Sequence, residues 1–296
     1  MTLIPTHIPV LLDEVTRFLD PQSKERFVDG TVGQGGHAEA ILERIGSEGR
    51  LLGIDRDARN LEVAQERLKR FGNRVTLVQD TYANADALAR AHGWKSADGI
   101  LLDLGFSSAH IEDASRGFSF QMEGPLDMRY DARQELTAAT IVNGWKEDEL
   151  ARLFREYGEE PTARKIAKAI VETRRKAHLV TTQQLVDVIT EVVPRRGSAS
   201  RRIHPATRVF QALRIAVNDE LGELELALPK LVELLAPHGR LGIISFHSLE
   251  DRVVKQFFAK NDSLKILTKH VIVPTLEEAQ RNPRARSAKL RVAERL

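Results

Sequence analysis

The sequence predicts an α/β fold: one sheet domain whose chain is interrupted by a helical insertion. Strand and helix patterns alternate over residues 26–104, this alternation stops over residues 106–206, and it resumes from residue 207. Strands that alternate with amphipathic helices are typical of a parallel sheet covered by helices. We therefore expect a discontinuous domain of residues 1–105 and 207–296, with residues 106–206 forming a separate helical domain.

The first part of the chain contains four predicted strands, each followed or preceded by a helical pattern. The predicted strands are residues 26–32, 51–54, 75–78 and 99–104. One predicted helix ends near residue 19, and three others span residues 36–45, 56–71 and 82–92. The fourth strand, GILLDL, is apolar over almost its whole length, which suits a parallel strand buried on both faces.

The insertion and the C-terminal part follow a different order. Residues 106–133 have a loop-like pattern, and helices are predicted at residues 146–158, from residue 161, and from residue 181 or 182. After the insertion we expect a long helix at residues 207–235 and a helix at residues 248–258. Strands are predicted at residues 240–246, 266–273 and 289–296.

Composition excludes several classes of protein. The 296 residues are 42% hydrophobic and 29% charged, which fits a soluble globular protein. No apolar run approaches the ~20 residues of a membrane helix, and the N-terminus lacks a basic secretory leader, so we expect a cytoplasmic protein without membrane contact. The absence of cysteine excludes disulfides, iron–sulfur clusters and thiolate catalysis. Because the nine histidines are scattered, no metal site is predicted.

Positive charge is concentrated in one segment. Residues 161–214 contain 12 Lys or Arg and 3 acidic residues, a net of +9, while the whole chain carries +2. A concentrated, weakly compensated basic segment favours a polyanion-binding face, although a solvated helical surface is the alternative. The predicted phosphate contacts are Lys165, Lys168, Arg174, Arg175, Arg195, Arg196, Arg201 and Arg202.

A glycine-rich turn follows the first predicted strand. The sequence FVDGTVGQGGH occupies residues 27–37, and the second strand ends at Asp55, 20 residues after Gly35. Glycines such as Gly33 and Gly35 allow a ligand to approach the backbone closely. A carboxylate at the position of Asp55 accepts hydrogen bonds from ribose hydroxyls. Together these features predict a site for a nucleoside-containing cofactor.

Two such cofactors fit the turn. It matches the dinucleotide fingerprint GxGxxA, so an NAD-dependent dehydrogenase is one alternative. Three features favour S-adenosylmethionine instead. Asp29 precedes the glycines, Asp80 and Tyr82 follow the third strand where an adenine would lie, and the last predicted strand suits the extra edge strand of methyltransferase sheets. A Walker-type phosphate loop is excluded because no GxxxxGK[ST] occurs.

Seven short sequence blocks are spread in order over nearly the whole chain. They are DGT through GGH at 29–37, LLDLGFSS at 101–108, RGFSF at 116–120, GPLDMR at 124–129, HPATR at 204–208, IISFHSLEDR at 243–252 and NPRARS at 282–287. With these blocks the chain resembles the bacterial 16S ribosomal RNA (cytosine-N4) methyltransferases. The resemblance implies a class I (Rossmann-like) methyltransferase sheet and S-adenosylmethionine as the cofactor. It implies methylation of the N4 amine of one cytidine in the decoding region, with the helical insertion recognising the RNA.

The turn and the resemblance together predict the cofactor-binding residues. They are Gly33, Gly35, Gly36, His37, Asp55, Tyr82, Asp103 and His110. Two of them depart from the family pattern, because His110 stands where glutamine is usual and Tyr82 where phenylalanine is common. A tyrosine keeps the ring that stacks on a base, whereas histidine is shorter than glutamine and titrates near neutral pH.

Asp103 and His247 are the predicted catalytic residues. Asp103, at the end of the fourth strand, could accept a hydrogen bond from the cytosine amine or hold the methionine amino group. His247 follows the fifth strand and could face the acceptor base, with helix capping as its alternative. Methylation at cytosine C5 normally proceeds through a cysteine adduct, so the lack of cysteine supports an N-methyl product.

The predicted partner is 16S ribosomal RNA or the small ribosomal subunit, and the sequence leaves open whether the protein is a monomer or a homodimer. A non-catalytic RNA-binding or ribosome-assembly factor that keeps a cofactor pocket is the alternative from a different class.

Overall fold

The computed structural model describes residues 8–193 and 204–296, and its contacts divide the chain into two units. The first unit is Met1–Gly105 with Leu221–Leu296, and the second is Phe106–Glu220. The division expected from the sequence differs at its second boundary, because residues 207–220 belong to the second unit. Four predicted phosphate contacts lie outside the described residues, namely Arg195, Arg196, Arg201 and Arg202.

A seven-stranded sheet forms the centre of the first unit. Its strands are β1 (Arg26–Asp29), β2 (Arg50–Asp55), β3 (Val75–Gln79), β4 (Ala97–Asp103), β5 (Leu235–Ser245), β6 (Leu264–Ile266) and β7 (Lys289–Arg295). They lie in the order β3-β2-β1-β4-β5-β7-β6, and β7 alone runs antiparallel to its neighbours. The predicted α/β sheet is confirmed. The last strand was expected at the edge of the sheet, but β7 lies between β5 and β6, and β6 forms the edge.

Helices of both units are described in chain order. They are α1 (Leu12–Leu19), α2 (Gly36–Arg44), α3 (Ala58–Leu68), α4 (Ala85–Ala91), α5 (Ser108–Glu112), α6 (Ala138–Gly144), α7 (Glu147–Glu156), α8 (Ala163–Arg174), α9 (Thr182–Val192), α10 (Pro205–Asn218), α11 (Glu220–Leu234), α12 (Ser248–Lys260) and α13 (Leu276–Arg281). Among the described residues, no helix combines the length and the hydrophobicity that a membrane crossing requires.

Both faces of the sheet are buried, which explains its continuous apolar strands. Phe27 and Leu101 pack into one cluster with α1 and α2, whereas Val28 and Leu102 pack into another with α4, α11 and α12. Neighbouring residues of a strand point to opposite faces, so each strand needs apolar side chains on both. Burying one such side chain stabilises the fold by about 1.5–3 kcal/mol.

The second unit has its own hydrophobic core, built from helices α6 to α10. Phe154, Ile166 and Leu213 are fully buried in it. Helix α9 begins with a capping box, in which Thr181 accepts from the N–H of Gln184 and the Gln184 side chain accepts from the N–H of Thr181. The sequence predicted a helix that begins at residue 181 or 182, and the reciprocal pair fixes this start.

Ion pairs and hydrogen bonds order the segment that the sequence described as loop-like. Two guanidinium nitrogens of Arg129 donate to the Asp127 carboxylate at 2.9 and 2.7 Å. Burial would raise the pKa of Asp127, but the hydrogen bonds from Arg129 hold it below its usual value. The amide of Asn218 adds a second attachment, because it accepts from the N–H of Tyr130 and donates to the carbonyl of Met128, each at 2.8 Å.

The long helix predicted at residues 207–235 is wrong, because two helices occupy these residues. They are separated at Asp219, whose φ of 49° and ψ of 42° are left-handed. Aspartate tolerates this conformation better than most residues, so the break carries no glycine or proline signal. The strand predicted at residues 266–273 is also wrong in its position, because β6 covers Leu264–Ile266 and shares only Ile266 with that range, while Ile272 makes an isolated bridge with Leu290.

Candidate functional site

Four aspartates lie where neighbouring parallel strands end on one edge of the sheet. Asp29 ends β1, Asp55 ends β2 and Asp103 ends β4, while Asp80 directly follows β3. The strand order β3-β2-β1-β4 brings these ends side by side, and the chain reverses its course across the sheet between β1 and β4. Ligands of open α/β sheets bind outside the carboxyl ends of the strands at such a switch point. This edge is therefore the candidate site.

The glycine-rich turn, residues 30–36, joins β1 to α2. Gly33 and Gly35 have φ angles of 52° and 82°, in a left-handed region that costs residues with a side chain about 1–2 kcal/mol. The N–H of Gly33 donates to Oδ2 of Asp55 at 2.9 Å, which fastens the turn to the end of β2. No side chain caps the start of α2, so N–H groups of its first turn can bind an anionic group of a ligand.

Asp55 organises the second side of the site. Its Oδ1 accepts from the N–H of Asp57 at 2.8 Å, and the amide of Asn60 lies 3.3–3.4 Å from both carboxylate oxygens. Asp57, rather than Asp55, is the N-cap of α3, because its carboxylate accepts from the N–H of Arg59 at 3.0 Å. These contacts from Gly33, Asp57 and Asn60 hold the Asp55 carboxylate in a fixed place at the end of β2.

Asp29, His37 and Asp103 form a buried polar group, which we call the Asp29 cluster. Nε2 of His37 lies 3.5 Å from Oδ2 of Asp103, an electrostatic contact rather than a hydrogen bond. Oδ1 of Asp29 accepts from the N–H of Thr31 at 3.2 Å. Four buried atoms of the cluster have no hydrogen-bond partner among the described residues: Oδ2 of Asp29, Nδ1 and Nε2 of His37, and Oδ1 of Asp103. Since buried polar atoms are nearly always paired, the cluster is a site that a polar ligand would complete.

The electrostatic state of Asp29 is unusual. Burial raises the pKa of its carboxyl to about 7, although His37 and the N–H of Thr31 act to lower it. The nearby carboxylates Asp103 and Asp55 raise it further. At neutral pH the cluster therefore holds a carboxyl group close to the midpoint of its titration.

Tyr82 lies in a short 3-10 turn that follows β3. The Asp80 carboxylate accepts from the N–H of Thr81 at 2.7 Å and from the amide of Asn84 at 2.9 Å, so Asp80 stabilises this turn. Gly30 leaves room for the tyrosine, because a Cβ at residue 30 would lie 2.9 Å from Cβ of Tyr82. The half-buried ring thus lies next to the glycine-rich turn, where a cofactor base could stack on it.

His247 takes part in the cap of α12. Its Nδ1 accepts from the N–H of Glu250 at 3.4 Å, and the Glu250 carboxylate accepts from the N–H of Phe246 at 2.8 Å. Nε2 of His247 lies 3.1 Å from the same carboxylate. This local structure matches the capping alternative. Because Asp103 of β4 pairs with Ile244 of β5, His247 follows a strand end next to Asp103, and its catalytic role stays a prediction.

His110 belongs to the second unit, whereas the other predicted cofactor residues belong to the first. It is buried, and its Nδ1 accepts from the N–H of Ser107 at 3.0 Å. Its ring centroid lies 4.8 Å from that of Phe118 and 5.4 Å from that of Tyr130. These contacts describe an aromatic cluster within the second unit, and the cofactor contact of His110 stays a prediction.

Four of the predicted phosphate contacts lie on α8 or directly after it. Lys165, Lys168 and Arg175 are exposed. Arg174 is half-buried and donates to the carbonyl of Val142 at 2.6 Å, so its guanidinium also helps to hold α6. The exposed cations suit contact with phosphate, and their role in RNA binding stays a prediction.

Sequence reasoning missed residues that support the site from within. The hydroxyl oxygen of Thr31 accepts from the N–H of Asp103 at 2.6 Å. The two residues are 72 positions apart in the sequence, so no local pattern predicts this contact. Asn60 stands five residues after Asp55, in the helix that follows the strand, a position that could have indicated its contact. Asp29, like Asp55, is an acid at the end of an apolar strand, and this pattern could have indicated a binding role. It was named only as a feature that favours S-adenosylmethionine and not as a binding residue.

The chain matches the model of one protein family and is similar to proteins of known sequence and structure. The model of the MraW methylase family matches residues 5–296. The chain is 47% identical over 311 aligned residues to the ribosomal RNA small subunit methyltransferase H of Heliobacterium modesticaldum, covering 98% of each chain. It is 48% identical over 291 residues to the protein of the same name from Dictyoglomus turgidum, covering 98% of this chain and 97% of the relative. A solved rRNA methylase from Streptococcus thermophilus is 12% identical with a TM-score of 0.45, covering 96% of this chain and 93% of that one.

Proposed function

Because the chain belongs to the MraW methylase family, we propose that it transfers the methyl group of S-adenosylmethionine to the N4 amine of a cytidine in the decoding region of 16S ribosomal RNA. Family membership confirms the predicted enzyme class, a methyltransferase, and removes the dehydrogenase alternative. Relatives of 47–48% identity are named for the small ribosomal subunit, which supports its RNA as the substrate. An enzyme that acts on ribosomal RNA works in the cytoplasm of a bacterium.

One observation carries the proposal: the edge of the sheet offers a polar group for each part of the cofactor. Asp55 is held at the end of β2, where its carboxylate can accept from the ribose hydroxyls. Tyr82 offers a ring to the adenine, and the uncapped start of α2 offers N–H groups to the carboxylate. Oδ2 of Asp29, which is buried and unpartnered among the described residues, suits the ammonium group. The residues present therefore fit this cofactor.

The bound cofactor supplies a methyl group activated by a sulfonium. The protein must then hold the acceptor amine in line with the S–CH3 bond and keep water out, and such positioning can lower the barrier by several kcal/mol. The lone pair of cytosine N4 is delocalised into the ring, so an acceptor for an N4 proton makes the nitrogen more nucleophilic. Asp103 stands at the end of β4 with Oδ1 unpartnered among the described residues, and we assign this acceptor role to it. His247 is the second candidate at the neighbouring strand end.

Methylation on nitrogen agrees with the amino-acid composition. Transfer to C5 of cytosine normally needs a cysteine that adds to the ring, and this chain contains none. Transfer to an exocyclic amine needs no covalent adduct. Both transfers use the same cofactor, so the absence of cysteine supports the N-methyl product.

The second unit is the proposed RNA-binding part. Lys165, Lys168 and Arg175 expose positive charge along α8, and the segment 161–214 carries a net charge of +9. Phosphate contacts release counterions, so RNA binding through such a surface weakens steeply with salt. Whether the enzyme acts as a monomer or a homodimer does not alter this assignment.

Methyl transfer to defined RNA tests the function. The protein is incubated with S-adenosylmethionine carrying a labelled methyl group and with either a decoding-region RNA fragment or an assembled small subunit. Nucleosides are then separated by chromatography and identified by mass, because N4- and C5-methylcytidine have the same mass and differ in retention. We expect N4-methylcytidine at a single site. Labelled C5-methylcytidine would contradict the proposed chemistry, and RNA binding without methylation would favour the non-catalytic factor.

A further inference from the structure

Asp29 is buried without the compensation that a buried carboxylate normally has. Only 1% of its surface is exposed. One oxygen, Oδ1, accepts the N–H of Thr31, while Oδ2 has no hydrogen-bond partner among the described residues. A buried carboxylate is costly unless it is paired, so the group either stays protonated or receives a cation.

The charged groups around Asp29 come from three other elements. His37 lies on α2, Asp103 on β4 and Asp55 on β2. His37 favours the ionised form of Asp29, and the two aspartates oppose it. His37 is itself in contact with Asp103 at 3.5 Å. Two other carboxyl groups and one imidazole therefore act on the Asp29 carboxyl, and an added positive charge would relieve the repulsion among the carboxyl groups.

We propose that Asp29 binds the α-ammonium group of S-adenosylmethionine and releases a proton to solvent as it does so, which makes cofactor binding proton-linked. The inference rests on the proposed cofactor of this site. In the free protein Asp29 is a neutral acid part of the time. When the ammonium arrives, the carboxyl loses its proton to water and the carboxylate pairs with the cation. One O–H bond breaks, the proton enters the buffer, and no other bond changes.

The pH range of the linkage follows from the free protein. The Asp29 carboxyl has a pKa of about 7 there, and a neighbouring cation lowers that pKa. At about pH 7 roughly half a proton should be released per cofactor, rising toward one near pH 6 and falling toward zero above about pH 8.5. Affinity should accordingly increase about fivefold from pH 6 to pH 7 and level off above about pH 8.

Calorimetry with two ligands tests the linkage. S-adenosylhomocysteine carries the ammonium group, whereas 5′-methylthioadenosine has the same adenosine and sulfur but lacks the amino-acid end. Each ligand is titrated into the intact protein in buffers that differ in ionisation enthalpy. The dependence of the observed heat on buffer gives the number of protons released. We expect release with S-adenosylhomocysteine and none with 5′-methylthioadenosine.

Two variants identify the source of the proton. Asp29→Asn keeps the acceptor for the N–H of Thr31 and cannot titrate, so its proton release with S-adenosylhomocysteine should vanish and its affinity should no longer vary between pH 6 and pH 7. His37→Gln should still release a proton. If Asp29→Asn folds poorly or binds too weakly to measure, the comparison of the two ligands with the unmodified protein decides the matter.

The possible outcomes separate this inference from the proposed function. Binding of S-adenosylhomocysteine without proton release overturns the linkage and leaves the cofactor assignment intact. Release that persists in Asp29→Asn, or that is equal for the two ligands, also overturns it. If the folded protein binds no S-adenosylhomocysteine at any pH from 6 to 8.5, the cofactor assignment itself fails, and the linkage fails with it.

Discussion

Replacing Asp55 with alanine tests how the glycine-rich turn and the end of β2 hold the cofactor. The substitution removes two charge-assisted hydrogen bonds to ribose, each worth about 1.5–3 kcal/mol. It also removes the acceptor for the N–H of Gly33, which fixes the turn at 2.9 Å. We therefore expect a loss of about 3–5 kcal/mol in binding free energy, which is about a 150- to 4,000-fold rise in the Kd of S-adenosylhomocysteine.

A matched control lies two residues away. Asp57→Ala removes the N-cap of α3, whose carboxylate accepts from the N–H of Arg59 at 3.0 Å, but keeps the backbone N–H that donates to Asp55. It should lower the free energy of unfolding by about 1 kcal/mol and leave the Kd within about threefold. Isothermal titration calorimetry at fixed pH measures both variants, with RNA affinity as a check of folding. A Kd for Asp55→Ala within about threefold of the unmodified protein would refute the ribose assignment.

Three further predictions concern stability and RNA binding. The pKa of Asp29 in the folded protein, about 7, lies above its usual value of 3.8. The folded cofactor-free protein therefore binds more protons than the unfolded chain between about pH 4 and pH 7, and its stability relative to Asp29→Asn should fall with rising pH, by up to about 1.4 kcal/mol per pH unit. Urea unfolding across this range measures it, and parallel curves for the two proteins would count against the assignment. The buried Arg214 donates to the Glu220 carboxylate at 2.8 and 2.9 Å. Glu220→Gln removes this charged partner and should destabilise the protein by about 3–5 kcal/mol. A loss under about 1 kcal/mol in the free energy of chemical unfolding would be inconsistent with a buried pair. The double variant Lys165→Ala with Lys168→Ala should reduce the slope of log K against log[salt] for RNA binding by about 1–2. Lys260 is exposed on α12 of the first unit, so the control Lys260→Ala should leave the slope unchanged. Equal slopes for the unmodified protein and both variants would exclude α8 from the RNA interface.

Local patterns were enough to predict which residues lie together at the candidate edge of the sheet. The glycine-rich turn and Asp55 belong to one strand–turn–helix–strand unit, so their spacing in sequence fixes their spacing in the fold. Asp103 was predicted for a related reason, because the carboxyl ends of parallel strands share one edge of the sheet. The contact between Asp103 and Thr31 depends instead on the pairing of β1 with β4, which no local window contains.

The features that could not be predicted arise from tertiary contacts. Asp219 interrupts a stretch that is apolar at helical spacing on both sides. Its φ of 49° is left-handed, a conformation that usually carries glycine, but this position carries aspartate, so the sequence gives no sign of the break. The segment 106–133 lacks periodicity because its order comes from side chains, such as the Arg129–Asp127 pair, rather than from an apolar stripe. For His247, sequence reasoning offered two roles, and the cap was visible only once the Glu250 carboxylate was located.

A crystal structure of the protein with S-adenosylhomocysteine tests the central claim most directly. The account predicts the ribose hydroxyls within hydrogen-bond distance of the Asp55 carboxylate, the adenine against the ring of Tyr82, and the ammonium group beside Asp29. Density for the ligand at any other edge of the sheet, or with its ribose turned away from Asp55, would contradict the account.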